Sequence, residues 1–185
     1  MREVIAELQS ISPYSQGKHY DVPKLAKERP DDYERRTWRE RMHTSAEGFV
    51  FIPPLAFKNC LSSIAKYLGM QIPGKGKSTY TKHFESGVLV LEAMQLPIKA
   101  SAVAGEWVPV PSNGVRGYGK RVLKCFPLIP EWHGKVRFHV LDDTVTETVF
   151  AEHLAQSGQF IGIGRFRPQS NGYYGRFVVK SLEWL

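Results

Sequence analysis

Residues 49–69 read FVFIPPLAFKNCLSSIAKYLG and contain the clearest strand and helix signals in the chain. The apolar run Phe49-Val50-Phe51-Ile52 is typical of a short buried strand. Pro53 and Pro54 then favour a helix start, because proline is well tolerated in a first helical turn, and Gly69 favours the helix end. The apolar residues between them share one predicted helix face: Phe57, Leu61, Ile64, Ala65 and Leu68.

The last third of the chain contains a second strand and helix pair. Alternation of apolar and polar residues over 135–140 predicts a strand with one buried face. Thr144, with a glutamate three positions on, is typical of a capping box and predicts the helix start, and Gly158 predicts the helix end. Similar patterns over 3–9 and 176–180 predict the first and last strands.

The order of these units predicts an α+β fold. We expect a single RRM-like domain over residues 1–185, in which a ferredoxin-like antiparallel sheet has two helices on one face. Hydrophobic periodicity is lost over residues 12–47, which predicts a long loop or an inserted irregular lobe. Residues 70–130 form a predicted irregular hairpin region, with strands expected over 88–91 and 107–110.

Positive charge is concentrated in flexible segments. The chain has 25 Lys and Arg against 18 Asp and Glu, and the windows 48–84, 107–130 and 154–182 contain no acid. A polyanionic partner explains this segregation, because contacts from lysine and arginine to phosphate supply the sequence-independent part of nucleic-acid affinity. A basic surface that serves only solubility is the alternative. The predicted contact residues of the first two windows are Lys75, Lys77, Arg116, Lys120 and Arg121.

Residues 162–177 read GIGRFRPQSNGYYGRF and combine four glycines, three arginines and four aromatic residues without a carboxylate. Glycine allows a backbone to approach a ligand closely, arginine binds phosphate, and aromatic faces stack on bases. This composition favours a loop that holds nucleic acid. A glycine-rich hairpin with solvated arginines is the alternative.

The sequence disfavours several classes of protein. No apolar run reaches the roughly 18 residues of a transmembrane helix, and the acidic N-terminal strand does not suit a signal peptide, so we expect a cytoplasmic protein without a membrane partner. Cys60 and Cys125 predict buried, reduced thiols. The glycines near Lys75 lack phosphate-loop spacing, and the six histidines lack metal-site spacing, so we expect neither a cofactor nor a metal.

Two of these segments resemble the RAMP superfamily, the RRM-like proteins of CRISPR effector complexes. Residues 52–58, IPPLAFK, resemble the family's Ile-Pro-Gly-Ser-x-apolar-Lys start of the first helix, and residues 161–177 resemble its glycine-rich loop before the last strand. Pro54 stands where the family prefers glycine, and Leu55 where it prefers serine. We therefore expect a divergent relative, either phage-borne or stand-alone.

The resemblance implies roles for particular residues. Lys58 would face the nucleic-acid backbone from the first helix, and residues 12–47 would take the place of the family's thumb. The glycine-rich loop would hold phosphates and stack a base through Tyr173 or Tyr174. The implied arginine contacts are Arg35, Arg36, Arg39 and Arg41 of the thumb and Arg165, Arg167 and Arg176 of the loop.

Three functions follow as hypotheses. The first is a non-enzymatic protein that binds single-stranded RNA or DNA, as a head-to-tail oligomer or with other RAMP-type subunits. The second is a metal-independent endoribonuclease, in which His19 would act with Tyr14 or Tyr20 as acid and base. The third is a structural viral assembly protein without a nucleic-acid role.

Overall fold

The computed structural model describes residues 1–115, 117 and 119–185. The strands are β1 (Arg2–Ser10), β2 (Tyr14–Ser15), β3 (Phe49–Ile52), β4 (Val88–Leu89), β5 (Met94–Lys99), β6 (Ala104–Pro111), β7 (Arg121–Ile129), β8 (His133–Val140) and β9 (Phe177–Trp184). The helices are α1 (Pro30–Thr37), α2 (Pro54–Leu68), α3 (Thr81–Gly87) and α4 (Glu147–Phe160). No helix among the described residues is long and apolar enough to cross a membrane.

Four strands form the main sheet in the order β4-β8-β1-β9, and the pairs are antiparallel. Along the chain these strands and the two longest helices follow as β1-α2-β4-β8-α4-β9. That chain order, combined with that sheet order, is the ferredoxin-like arrangement. The predicted α+β, RRM-like fold is therefore confirmed.

The core lies between the sheet and helices α2 and α4. Val4, Ala6 and Leu8 of β1 are fully buried, as the alternation of the first strand predicts. Phe138 lies opposite Val4 on β8, and its ring packs edge-on against Phe150 of α4 at 5.3 Å between centroids. Leu61 and Ile64 of α2 are buried in the same core. Both helices therefore cover one face of the sheet, while the other face carries charged side chains such as the ion pair of Glu3 and Arg137.

Two long segments connect the ferredoxin-like elements, the first between β1 and α2 and the second between β4 and β8, and their strands pair with each other. Strand β2 from the first segment joins the β6–β7 hairpin of the second in a sheet of order β2-β7-β6. Strand β3 pairs with β5 in the same way. Residues 12–47, predicted as an inserted lobe, contain β2, α1 and the 3₁₀ turn Trp38–Arg41.

The predicted strand and helix unit of residues 49–69 needs one correction. The helix forms as predicted, but β3 does not enter the main sheet. Its partner is β5, and the sheet strand that precedes α2 in the chain is β1. The strand predicted over 88–91 is also shorter, since β4 comprises Val88–Leu89 alone.

The bounds of α4 also differ from the prediction. Its N-cap is Thr146, whose side chain accepts a hydrogen bond from the Val149 amide, whereas Thr144 lies in the preceding turn and donates its amide to Asp142 Oδ1. Gly158 lies inside the helix and does not end it. A Cβ there would lie 2.2 Å from the Phe177 carbonyl oxygen, so this glycine allows α4 to pack closely on β9.

Candidate nucleic-acid interface

The glycine-rich segment 162–177 is an ordered loop fixed to the start of the chain. The amide of Arg165 donates to the Ser15 carbonyl at 2.9 Å, and that of Gly175 donates to the Pro13 carbonyl at 2.7 Å. Within the loop the Ile163 amide donates to the Gly175 carbonyl at 3.0 Å. The loop thus packs onto the connection between β1 and β2.

Two glycines are required by this packing. Gly164 and Gly175 have φ angles of 76° and 69°, in the left-handed region. A Cβ at Gly164 would lie 2.4 Å from the Ser15 carbonyl oxygen, and one at Gly175 would lie 1.7 Å from the Ile163 carbonyl oxygen. The glycine content therefore shapes the loop, and the arginine side chains are left as its candidate ligand contacts.

Arg165 is the central side chain of the site. Its guanidinium carbon lies 3.8 Å from the centre of the Phe126 ring, and Nη2 lies 3.6 Å from Glu106 Oε2. Burial lowers the pKa of Arg165, while Glu106 opposes that shift, and a guanidinium stays charged in any case. Tyr174 donates its hydroxyl to Glu106 Oε1 at 2.6 Å. Glu106 therefore holds both side chains in place.

Two open grooves meet at Arg165 and Phe126, which line both. The hairpin groove, about 720 Å³, lies between the β6–β7 hairpin and the glycine-rich loop. Its other lining residues are Glu106, Val108, Pro109, Val110, Pro111, Gly117, Arg121, Phe166 and Ser170. The helix groove, about 660 Å³, is further lined by Tyr14, Gln16, Gly17, Lys18, His43, Pro53, Leu55, Ala56, Asn59, Gly164 and Arg167.

The helix groove contains the N-terminus of α2. Pro53, Leu55 and Ala56 line it, and the first turn of the helix carries no acidic side chain. The dipole at such an end favours an anion, although Pro54 carries no amide hydrogen and the Ala56 amide donates to the Pro53 carbonyl at 3.0 Å. Arg167 lies on the same groove, where its Nη1 donates to the Gly164 carbonyl at 3.0 Å. The groove thus joins a helix N-terminus to an arginine, an arrangement suited to phosphate.

The structure brings together part of the predicted site. Arg121, Arg165 and Arg167 line the two grooves. Tyr173 is 56% exposed and packs edge-on against Phe166, which lines the hairpin groove. Arg176, three positions after Tyr173, is half-buried. Lys120 is exposed and precedes Arg121 in the chain. Arg116 lies outside the described residues.

Other predicted contacts are engaged inside the protein. Arg41 is 9% exposed and pairs with Glu34 at 2.6 Å, so its guanidinium is not available to contact a phosphate at the surface. Tyr174 is 4% exposed and cannot present a ring to a base. The ammonium of Lys58 donates to the carbonyls of Phe84 at 2.5 Å and Glu85 at 2.8 Å. It stabilises the end of α3 instead of facing a groove.

The remaining predicted cations lie apart from the grooves. Arg35 and Arg36 are exposed on α1, where they lie 3.8 Å from Asp32 and 2.7 Å from Glu28. Arg39 is exposed and covers the buried Trp38 ring at 4.2 Å. Lys75 and Lys77 are exposed and line neither groove.

Lys18, Phe126 and Glu106 are among the groove residues that were not predicted as site residues. Lys18 had a detectable signal, because it follows a glycine in an aperiodic segment. Phe126 and Glu106 carried none, since each occupies an ordinary position in a predicted hairpin region. Their role arises from the pairing Glu106↔Phe126, which places them opposite each other on β6 and β7 beneath Arg165.

Tyr14 and Tyr20, the two residues predicted to act with His19 in catalysis, both have their hydroxyl groups hydrogen-bonded within the protein. His19 itself is exposed. Tyr14 is 2% exposed, burial raises its pKa, and its hydroxyl accepts a hydrogen bond from Gln16. The Tyr20 hydroxyl shares a hydrogen bond with Thr37 at 3.1 Å. Among the described residues no group of three potential metal ligands is found.

The sequence matches no protein-family model and no curated protein. Solved structures do match. A chain of the type III-B Cmr-beta bound to cognate target RNA is similar over 100% of this chain and 60% of its own length, at a TM-score of 0.63 and 10% identity. Cmr6 from Pyrococcus furiosus is similar over 97% of this chain and 98% of its own, at a TM-score of 0.50 and 14% identity.

The chain therefore shares its fold with a chain of the Cmr-beta complex and with Cmr6. The fold that the resemblance of residues 52–58 and 161–177 implied is thereby confirmed. This chain spans about 60% of the length of the Cmr-beta chain and nearly all of Cmr6.

Proposed function

We propose that this protein is a non-enzymatic, RAMP-type subunit of an RNA-guided complex and that it binds single-stranded RNA along the hairpin and helix grooves. The observation that carries the proposal is the position of Arg165, whose guanidinium lies over Phe126 where the two grooves meet. An arginine held over an aromatic ring offers a positive charge and several hydrogen-bond donors to a passing phosphate.

The charges of the grooves support a polyanionic ligand. The described lining residues include four cations, Lys18, Arg121, Arg165 and Arg167, against the single carboxylate of Glu106. That carboxylate is engaged by Tyr174 and Arg165. The helix N-terminus adds a further positive end on the same surface.

Two exposed aromatic side chains support a single-stranded ligand: Phe166, which lines the hairpin groove, and Tyr173, which packs against Phe166. Phe166 is 38% exposed and Tyr173 is 56% exposed, and both belong to the arginine-bearing loop. Stacking on such rings requires unpaired bases and is largely independent of sequence. The choice of RNA over DNA rests on the fold, because one similar structure is described as bound to cognate target RNA.

The test is a binding titration with single-stranded RNA, single-stranded DNA and duplex at several salt concentrations. We expect single-stranded RNA to bind most tightly, with a steep loss of affinity as salt rises. In the Arg165→Gln/Arg167→Gln variant the affinity falls, and the salt slope decreases by about 0.7 for each phosphate that the protein no longer neutralises. The control Lys135→Gln/Lys180→Gln removes two exposed charges from β8 and β9 and leaves binding unchanged.

The same titration decides between the three functions. Intact RNA after incubation supports a binding protein, whereas metal-independent cleavage that His19→Ala abolishes would establish the endoribonuclease. Absence of any affinity for polyanions would leave a structural role. Equal loss in the control variant would show that net charge, and not the grooves, determines binding.

Assembly along the RNA is part of the proposal. RNA that spans several protomers, or that is shared with other RAMP-type subunits, would produce complexes whose mass rises in steps with RNA length. Analytical ultracentrifugation with RNAs of increasing length measures this directly. A mass that stays at one protomer for every RNA length would exclude self-association along RNA.

A further inference from the structure

An exposed pair of stacked aromatic rings lies at the C-terminal ends of α2 and α4. Tyr67 and Phe160 have ring centroids 5.9 Å apart and an angle of 22° between their planes. They are 67% and 48% exposed, so each ring leaves apolar surface in contact with water. Neither residue belongs to the hairpin or helix groove.

The pair lines a third concave surface, here named the aromatic groove, of about 530 Å³. Its lining residues are Ser63, Lys66, Tyr67, Phe160, Ile161, Pro168 and Gln169. Lys66 is the cation of this groove, and none of the described lining residues is acidic. An aromatic surface beside a lysine suits a ligand that is both planar and anionic.

The aromatic groove continues the path of the other two. Gln169 lines it and also lines a small pocket of about 80 Å³, which it shares with Arg167 and Asn59. Those two residues line the helix groove as well. Shared residues therefore connect the β6–β7 hairpin, the glycine-rich loop, the N-terminus of α2 and the Tyr67–Phe160 pair in one continuous series.

We propose that Tyr67 and Phe160 stack an unpaired base of the bound RNA where the strand leaves the helix groove, with Lys66 contacting an adjacent phosphate. This inference rests on the proposed RNA binding and extends it to the helical side of the molecule. RNA is the occupant that the surface favours, because the aromatic groove is continuous with the cationic grooves and carries the same sign of charge.

The experiment compares RNAs of graded length, from about 4 to about 16 nucleotides, the range that single-strand-binding folds cover. Wild-type protein gains affinity when the RNA becomes long enough to reach the aromatic groove. Tyr67→Ala/Phe160→Ala removes that gain, about tenfold in Kd, and leaves the affinity for the shortest RNAs unchanged. Tyr67→Phe/Phe160→Trp restores it, because stacking needs only the rings.

A fluorescent base locates the contact. 2-Aminopurine placed at the position where the affinity gain appears is quenched by stacking in the wild-type protein and not in the alanine variant. Leu91→Ala, a change at a 65% exposed apolar residue that lines none of these grooves, is the control and leaves the signal intact. Lys66→Glu provides a second route to the same loss if the alanine variant does not fold.

The outcomes separate this inference from the proposed function. No affinity for RNA of any length in the wild-type protein would overturn both. Length-dependent binding that is identical in the wild-type and alanine variants would overturn the aromatic groove alone. The proposed role of the aromatic groove would also be overturned if Tyr67→Ala/Phe160→Ala weakened binding of a protein subunit and left RNA binding unchanged.

Discussion

The carboxylate of Glu34 joins α1 to the β6–β7 hairpin. It accepts hydrogen bonds from Arg41 at 2.6 Å, from Lys124 at 3.0 Å and from the Cys125 amide at 2.8 Å. Glu34 is 1% exposed. Burial raises the pKa of this carboxyl, but the hydrogen bonds from Cys125, Lys124 and Arg41 outweigh it and hold the pKa below its usual value.

Replacing Glu34 with glutamine should destabilise the protein strongly. Arg41 would then remain buried without a counter-charge, and loss of one partner of a buried ion pair costs about 3–5 kcal/mol. Urea denaturation of Glu34→Gln measures this difference in unfolding free energy. Asp32→Ala removes the exposed pair with Arg35 and should cost at most about 1 kcal/mol. Equal costs in the two variants would show that Glu34 is not the connection described.

Glu34 should also contribute to acid sensitivity. Because its pKa is lower in the folded than in the unfolded chain, its stabilising contribution is fully present above the ordinary glutamate pKa. That contribution is lost as the pH falls through the lowered pKa. The stability difference between wild-type protein and Glu34→Gln should therefore shrink as the pH falls below the ordinary glutamate pKa of about 4.3. A difference that stays constant with pH would contradict the assignment.

Residue roles were only partly predictable from the sequence. Arg41 and Arg165 both belong to arginine-rich segments, but Arg41 is buried by Glu34 and by the Cys125 carbonyl, 84 positions away, to which it donates at 3.1 Å. Composition gives no information on such distant partners. Tyr174 was indistinguishable from Tyr173 for the same reason, since its hydrogen-bond partner Glu106 lies 68 positions away in the chain.

At the scale of elements, the contact between α4 and β9 depends on Gly158. Gly158→Ala should destabilise the protein by about 1–3 kcal/mol, because the added Cβ would overlap the Phe177 carbonyl oxygen and ring. This figure is the net loss, which remains after the roughly 1 kcal/mol by which alanine is favoured over glycine in a helix interior is subtracted from the cost of the overlap. Thermal unfolding measures it, with Gly17→Ala, which has open space around its Cβ, as control. An unchanged or raised Tm in Gly158→Ala would refute the close packing.

Helix α2 offers a test that separates stability from binding. Leu55 is 64% exposed in its first turn and lines the helix groove. Leu55→Glu should stabilise the helix by about 0.3–1 kcal/mol through the dipole while weakening RNA binding by repelling phosphate. Tm and RNA affinity are measured in the same samples. Leu91→Glu, at an exposed leucine outside the grooves, should leave the affinity unchanged, and equal losses in both variants would argue against the helix N-terminus as a contact.

Local sequence patterns were sufficient to predict the bounds of some elements and not of others. Helix α2 was predictable because its prolines, its apolar face and Gly69 agree. The start of α4 was not, because Thr144 and Thr146 both offer hydroxyl caps and the preceding turn is held by Asp142. Strand β3 was recognised as a strand, but its partner β5 lies more than forty residues along the chain, as the pair Ile52↔Met94 shows.

At the scale of the whole molecule, the fold class was predictable and the arrangement of the inserted segments was not. The ferredoxin-like core follows from alternation in its strands and periodicity in its two helices. The second sheet depends on pairing between distant residues, such as Tyr14 with Ile129, for which local sequence carries no signal. The grooves form at this junction, so the candidate site became visible only in the folded chain.

The position of bound RNA on the whole molecule is the central claim. RNA containing 4-thiouridine, crosslinked by ultraviolet light and mapped by mass spectrometry of the peptides, measures it directly. We predict crosslinks in the peptides that contain Phe126, Phe166 and Tyr173 around Arg165. Crosslinks confined to the charged outer face of the main sheet, in the β8 peptide around Lys135 and Arg137, would contradict it.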